Sequence, residues 1–427
     1  MGAAFTFIHA ADLHLDSPFK GLSKAPSAVR ERLRESTFAA LRRLGELAAR
    51  ERVDFIVLAG DLFDAADRSL RAQLRLQHVL GDLAGHGIRT YIVTGNHDHE
   101  GGTQAKLDWP DGVHVFGSSQ VECRAALTRG GESAAHIYGI SYPTRAVGDN
   151  LALRFKKREG APFHIAVLHA NVNGDPAHDD YAPCRLEELA ASGFDYWALG
   201  HVHDRRVLSE YPHVVYPGNL QGRSVRETGG KGAYVVSVSA SGRVDMQFHD
   251  LADVLWREIA VSIDGMEREQ QLQEALLDAL EEARRASAGR ATIARLRLEG
   301  RGALHERLMR AEAAEEWLEG LRESLTPPEE ADDWVWPESL HVRTAGELRL
   351  ERAAEEDGFL GELVRRGMLE AADPEAAKAL LDEAAAPLRK QPRLRQWLDS
   401  RSREEREQWI RRAMELSASL LRDEDAK

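Results

Sequence analysis

The sequence predicts an α/β protein, with a two-sheet domain over residues 1–258, a small α+β unit over 259–345 and a helical region over 346–427. Three observations carry that reading. Five short apolar runs each end in residues that can ligate a metal, helical periodicity separates the early runs, and the composition shifts beyond residue 258. At 427 residues the chain exceeds one ordinary domain, and each part can bury a core.

Composition narrows the class. Hydrophobic residues make up 43% and charged residues 30%, the balance of an ordinary soluble protein. No apolar run approaches the roughly 20 residues of a membrane span, and the N-terminus has no basic segment leading into an apolar core of about 7–15 residues. A cytoplasmic location and no membrane partner are therefore expected. Cys123 and Cys184 fit no zinc spacing and are too few for a disulfide framework, so they read as buried or idle thiols. The net charge of −14 argues at first against a polyanionic partner. Its distribution weakens the objection, because residues 1–250 are nearly balanced and the acidic excess lies beyond them. Of 17 histidines, 15 lie in residues 1–250, so ligating potential and acidity are separate along the chain.

Residues 4–10 read as a strand that ends at Asp12 and His14. Leu33, Phe38, Leu41, Leu44 and Leu47 mark an amphipathic helix over Val29–Arg52, which leads into the strand Phe55-Ile56-Val57-Leu58. Gly60-Asp61-Leu62-Phe63-Asp64 follows, with Asp61 where a buried strand would run out and Asp64 suited to packing or loop hydrogen bonding. Arg68, Arg71 and Arg75 share one face of the next helix, as a solvated face or a phosphate contact. That helix ends near Gly85-His86-Gly87, and the strand Tyr91-Ile92-Val93 delivers Gly95-Asn96-His97-Asp98. Short alternating pieces from Val113 to Tyr142 suggest a second sheet. The run ending at Leu168 delivers His169, and Tyr196-Trp197-Ala198-Leu199 delivers Gly200-His201-Val202-His203. Two histidines one residue apart in extended chain face opposite ways and could serve two ions. In α/β sheets the carboxyl edge is where sites are built.

Trp256–Ile263 and Ala291–Leu298 read as strands, Glu267–Arg285 and Leu304–Leu325 as helices, with a closing strand near Leu340-His341-Val342. From Ala345 onward the pattern is helical, and Trp409, Ala413, Leu416 and Leu420 are spaced for one apolar face that serves either core packing or a partner helix pair.

Each motif is ambiguous alone. In joint order, Asp12/His14, Gly60-Asp61, Asn96-His97-Asp98, His169 and His201/His203 resemble the five signature blocks of the calcineurin-like metallophosphoesterases over about the first 250 residues. The resemblance implies a two-sheet αββα sandwich with two divalent metal ions, manganese being the family's suggestion. It further implies that Asp12, His14 and His203 hold one ion, that Asn96, His169 and His201 hold the other, and that Asp61 bridges them. A shell of mixed nitrogen and oxygen suits manganese, iron or zinc better than magnesium. His97 is then free to protonate a leaving oxygen, with Asp98 expected to hold its other ring nitrogen.

Within that superfamily, Asp12-Leu13-His14-Leu15-Asp16-Ser17-Pro18-Phe19 and Gly60-Asp61-Leu62-Phe63-Asp64 resemble DNA repair exonucleases of the SbcD type, YhaO branch. That likeness implies DNA as a partner, cleavage at DNA ends from the 3′ side with endonuclease activity left open, a DNA-contacting cap after residue 258, and C-terminal helices that dock an SbcC-like ABC-type ATPase. A homodimer is one option for the assembly. Gly218-Asn219 departs from the Gly-Ser expected in many relatives. Two rival readings are a small-nucleotide phosphodiesterase using the same ligands, and a scaffold protein that recognises DNA ends for its ATPase and cuts little.

Overall fold

A computed structural model of the chain describes residues 2–19, 22, 25–64, 69–101, 108–176, 178–346 and 350–425. In chain order the strands are β1 (Phe5–Ala10), β2 (Phe55–Ala59), β3 (Arg89–Val93), β4 (Val113–Val115), β5 (Glu122–Leu127), β6 (Ser133–Gly139), β7 (His164–His169), β8 (Tyr196–Gly200), β9 (Arg206–Glu210), β10 (His213–Tyr216), β11 (Gly232–Val238) and β12 (Val244–Asp250). Interleaved with them are the helices α1 (Ser27–Arg50), α2 (Leu70–Gly85) and α3 (Leu186–Ala191). The strands form two six-stranded sheets, ordered β12-β11-β1-β2-β3-β4 and β5-β6-β7-β8-β10-β9.

Side-chain alternation explains the layers. Phe55, Val57 and Ala59 of β2 face Ile165 and Val167 of β7 and Tyr196 and Ala198 of β8, in a core between the sheets where Phe7 stacks on Phe55 at 5.3 Å. Ile56 and Leu58 face the other way, onto Phe38, Leu41 and Leu44 of α1 and Leu76 and Leu80 of α2. On the far side of the second sheet, Leu168, Trp197 and Leu199 pack with Leu189 of α3 and with Phe155. The result is the expected αββα sandwich. β1, β2 and β3 run parallel to one another, as do β7 and β8, so ligand-bearing loops leave the carboxyl edge of each sheet.

Helix α2 starts with Ser69 as its cap, the Ser69 hydroxyl accepting from Ala72 N at 3.0 Å. Arg68, on the expected arginine face, lies outside the described residues. Arg71 and Arg75 turn onto Glu35 and over the Phe38 ring. Cys123 and Cys184 are free thiols.

Beyond the sandwich come β13 (Val254–Ser262), α4 (Glu269–Arg285), β14 (Ala291–Glu299), β15 (Arg301–Gly302), α5 (His305–Leu308), α6 (Ala313–Ser324), β16 (Val335–Val342) and β17 (Ala345–Gly346). The single helix expected over Leu304–Leu325 is broken between α5 and α6, where Glu312 takes a left-handed φ of 71°. The final segment holds α7 (Leu350–Glu355), α8 (Phe359–Ala372), α9 (Pro374–Ala384), α10 (Pro392–Asp399) and α11 (Arg403–Asp425).

The chain divides into two compact units. One comprises Met1–Val261, Glu274–Arg297 and Glu315–His341, and the other Ser262–Gln273, Leu298–Ala314 and Val342–Lys427. The first unit therefore takes in much of what the sequence reading assigns to a cap. The reason is apolar: Val254, Trp256, Ala291, Ile293, Trp334 and Trp336 share a core with Leu22, Ala25, Val29 and Leu33. In the second unit Ile410, Met414 and Ala418 of α11 pack with Leu350, Val364 and Ala377. The buried stripe is thus offset from the expected Trp409, Ala413 and Leu416, and the side chain of Leu420 lies outside the described residues. Trp409 instead stacks on Trp397, while Leu416 is exposed. Among the described residues no helix is long and apolar enough to cross a membrane.

Candidate metal centre

The parallel pairing of β1 and β2 continues past both strand ends. Asp12 N donates to Gly60 O, His14 N to Asp61 O and Leu15 N to Leu62 O, each at 3.0 Å. The two loops thus leave the sheet side by side, with Asp12, His14 and Asp61 all at positive φ. Non-glycine residues rarely accept that conformation, which costs of order 1–3 kcal/mol each and is found where surrounding structure over-determines it. His201, at φ 101°, shares it. Its backbone N–H donates to both oxygens of Asp12, at 3.0 and 3.1 Å, and so ties the β8 loop to the β1 loop.

His169 is the last residue of β7 and continues the inward face of Ile165 and Val167, so its ring lies between the sheets. Three motif glycines make room for it. A Cβ on Gly60 would come within 2.4 Å of the ring, on Gly95 within 2.8 Å and on Gly200 within 3.0 Å. The glycines before Asp61, Asn96 and His201 are therefore the walls of one slot.

The donor atoms converge. His169 Nδ1 donates to Ala59 O at 2.9 Å, which leaves Nε2 facing Asn96 Oδ1 at 3.0 Å and Asp61 Oδ2 at 3.4 Å. His14 Nε2 lies 3.8 Å from that same Asp61 oxygen and 3.1 Å from His203 Nε2. Asp12, His14 and His203 each present one donor atom within 4.8 Å of the others, and so do Asp12, Asp61 and His169. His201 Nε2 is engaged with Asp179 O at 2.7 Å, which leaves Nδ1 as its lone-pair atom. Bonds of about 2.0–2.2 Å to a divalent cation set neighbouring ligand atoms about 3 Å apart, so these spacings fit bound ions.

Electrostatics is mixed: burial opposes charge on His169, but Asp61 and Asp12 outweigh it and raise the ring to about 9, so a bound cation would have to displace its proton. Asp12, His14, Asp61, Asn96, His169 and His201 are all at most 5% exposed. Burial and the neighbouring Asp61 charge raise the Asp12 carboxyl, although His169 and His203 pull it down. Burial would raise Asp61 too, but the adjoining histidines outweigh it and hold the carboxyl well below its usual range. Burial lowers His201 to about 3, keeping its ring neutral as a ligand must be.

His97, whose side chain is 28% exposed, also presents a donor atom within 4.8 Å of donors of His14 and Asp64. The sequence reading gives the carboxylate behind it as Asp98, but the structure puts Asp64 there, with Oδ1 3.3 Å from His97 Nδ1. Asp98 points back into the loops, where Oδ1 accepts from Gly95 N at 2.6 Å and Oδ2 from Leu62 N at 2.8 Å. Burial and the nearby Asp61 push Asp98 up to about 7. Burial opposes charge on His97, yet Asp64 and Asp61 outweigh it and raise the imidazole.

Sequence reasoning missed two residues. Glu227 Oε1 accepts from His203 Nδ1 at 2.8 Å, leaving the Nε2 lone pair toward His14. Arg223 touches both outer carboxylates, with Nη1 3.2 Å from Asp64 Oδ2 and Nη2 3.6 Å from Glu227 Oε1. Both sit in the charged run Arg223-Ser224-Val225-Arg226-Glu227, which reads as a solvated loop. The available signal was its position just after Gly218-Asn219. Asn219 is fully buried and donates through Nδ2 to Glu227 Oε2 at 2.8 Å and to Gln221 O at 2.9 Å, so the amide that departs from the expected serine braces Glu227.

Comparison with known proteins places these features in a family. The calcineurin-like phosphoesterase family matches residues 5–205, and the family of the metallophosphoesterase YhaO middle domain matches residues 256–345. An uncharacterized metallophosphoesterase YhaO of Bacillus subtilis is 41% identical over 403 residues, covering 94% of both chains. The SbcD component of the nuclease SbcCD of the same organism is 30% identical over 60% of this chain and 69% of its own. The DNA double-strand break repair protein Mre11 of Thermoplasma acidophilum is 28% identical over 47% of this chain and 56% of its own.

Proposed function

The chain belongs to the calcineurin-like phosphoesterases, metal-dependent hydrolases with a dinuclear site, and from that premise we propose that it cleaves phosphodiesters at DNA ends as a 3′-side exonuclease. The observation that carries the reading is the Asp61 oxygen set between His169 Nε2 and His14 Nε2, with His97 beside them on the Asp64 carboxylate. Asp12, His14 and His203 would hold one divalent ion, Asn96, His169 and His201 the other, and Asp61 both. The mixed nitrogen and oxygen shell favours manganese over magnesium. When bound, such a pair supplies a water of lowered pKa and neutralises charge on the phosphoryl oxygens.

The chain's own residues then do the following. Asp64 Oδ1 stands 3.3 Å from Nδ1 of His97 and orients the ring to give a proton from Nε2 to the departing oxygen; against burial, Asp64 and Asp61 raise the imidazole, which favours the protonated form that role needs. Asp98 fixes the backbone of Gly95 and Leu62, and through it the spacing of Asp61 from Asn96.

DNA as the substrate is supported by the relatives named for the nuclease SbcCD and for Mre11. Residues 346–427 are assigned to docking an SbcC-like ABC-type ATPase in the cytoplasm, and the exposure of Phe359, Leu369, Trp397 and Leu416 supports that assignment. The test is cleavage of end-labelled duplex DNA with Mn²⁺ by the wild type and by Asp61→Ala, beside a chromogenic phosphodiester. DNA shortening by the wild type alone supports the reading. Hydrolysis of the small ester alone moves the substrate to small nucleotides. An ATPase pull-down that survives removal of residues 346–427 would remove the docking assignment.

A further inference from the structure

Arg223 joins the two halves of the site. Its Nη1 lies 3.2 Å from Asp64 Oδ2 and 3.3 Å from Ser17 Oγ, and Ser17 in turn donates to the same Asp64 oxygen at 2.8 Å. Its Nη2 lies 3.6 Å from Glu227 Oε1 and 3.3 Å from His203 Nδ1. Outward from the guanidinium, Asp64 leads to His97, and Glu227 leads to His203. One planar cation thus spans the carboxylates behind the partly exposed His97 and behind His203.

The loop that carries Arg223 is held from several sides. Arg223 N donates to Glu227 Oε2 at 2.7 Å, Trp256 Nε1 to Gly222 O at 2.8 Å, and Gln221 Nε2 to Val254 O at 2.7 Å. With its backbone tied this way and its side chain 18% exposed, the guanidinium has little freedom to follow either carboxylate. It sets where they stand. Without it, Asp64 and Glu227 would lose the cation they share.

We propose that Arg223 is a positioning residue for phosphodiester cleavage, its fork setting the separation of His97 from His203 by holding the carboxylate that orients each. The proposal rests on the phosphodiesterase reading above. Lysine cannot replace it, because a single ammonium lacks the two-armed fork that reaches both carboxylates at once.

The consequence is a dependence on the leaving group. An ester of p-nitrophenol loses a stable anion and needs no proton, whereas a dinucleoside phosphate loses an alkoxide and needs the acid. Positioned acids contribute about 10²–10⁴-fold, so a misplaced one should cost at least about 10-fold on the second substrate beyond the cost on the first. The experiment uses full-length wild type, Arg223→Gln, Arg223→Lys, Asp64→Asn and Arg223→Gln/Asp64→Asn, loaded with Mn²⁺ and checked for metal content and melting temperature. The expected result is a kcat loss about 10-fold greater on the dinucleoside phosphate for Arg223→Gln and Arg223→Lys, and in that substrate ratio little further change when Arg223→Gln is added to Asp64→Asn, because Arg223 reaches His97 through Asp64. Equal losses on both substrates, unchanged kinetics, or additive losses in the double variant would overturn the proposal. If Arg223→Gln does not fold, the substrate ratio of Arg223→Lys decides alone. Failure of the wild type on both esters would instead sink the phosphodiesterase reading, and the wild-type lane shows it separately.

Discussion

Replacing Glu227 by Gln should weaken one of the two ions while leaving the fold in place. The carboxylate accepts from His203 Nδ1 at 2.8 Å through Oε1, and from Asn219 Nδ2 at 2.8 Å and Arg223 N at 2.7 Å through Oε2. Glutamine has one acceptor oxygen for these two positions. Two donors converge on the Oε2 side, one of them a backbone N–H that cannot turn away, so the amide oxygen goes there. The NH₂ then faces His203, whose Nδ1 must accept rather than donate. The ring proton moves to Nε2, the atom 3.1 Å from His14 Nε2, and a protonated nitrogen is no ligand. Loss of such an outer partner costs about 10–100-fold in metal affinity, or about 1.4–2.7 kcal/mol. Calorimetric titration of the metal-free chain with Mn²⁺ reads this directly: two tight ions in the wild type, and one of them weakened by that factor in the variant. An isotherm superimposable on the wild type would refute the tautomer argument.

Other expectations follow from the same geometry. His97→Gln should lower cleavage of alkoxide-leaving phosphodiesters by about 10²–10⁴-fold with two ions still bound; a parallel loss of metal in the same titration would show His97 to be a ligand. Gly200→Ala would put a Cβ 1.8 Å from Ala59 O and 3.0 Å from His169 Nδ1, so a loss of about 4 kcal/mol or more is expected in urea unfolding, and a loss under about 1 kcal/mol would mean that the β8 edge yields. His9 is fully buried between Tyr196 OH and Leu199 O, each at 3.1 Å, and burial lowers it from 6.5 to about 3. The unfolded chain takes up that proton first, so the neutral ring's stabilisation is complete above pH 6.5 and declines by about 1.4 kcal/mol per unit as pH falls toward the folded value. His9→Gln should flatten the urea midpoint against pH between about 6.5 and 4, and a slope parallel to the wild type would place the acid lability elsewhere.

Much of the site was legible because strand ends announce themselves. A buried apolar run followed by Asp, His or Asn is a local pattern, and five of them in one order named Asp12, His14, Asp61, Asn96, His169, His201 and His203 before any contact was known. The unbroken apolar run Phe55-Ile56-Val57-Leu58 likewise marked β2 as a buried strand. The contribution of Arg223 and Glu227 was hidden in a charged run, since nothing local distinguishes a guanidinium that spans two carboxylates from one in water. The choice between Asp64 and Asp98 was also beyond local pattern. Asp98 is next to His97 in the chain, but its oxygens are claimed by the backbone of Gly95 and Leu62, and Asp64 arrives from the β2 loop to take the ring nitrogen.

The same division holds for the architecture. Sequence alone marked most of the strands and helices of the sandwich and the candidate ligands at its strand ends, because these depend on periodicity and residue type. Tertiary structure decided the rest. It placed the slot of Gly60, Gly95 and Gly200 around His169, joined Trp256, Trp334 and Trp336 to the core under α1, and chose Ile410, Met414 and Ala418 as the buried stripe of α11. Each of those outcomes depends on which surfaces meet, and segments far apart in the chain settle that only by packing together.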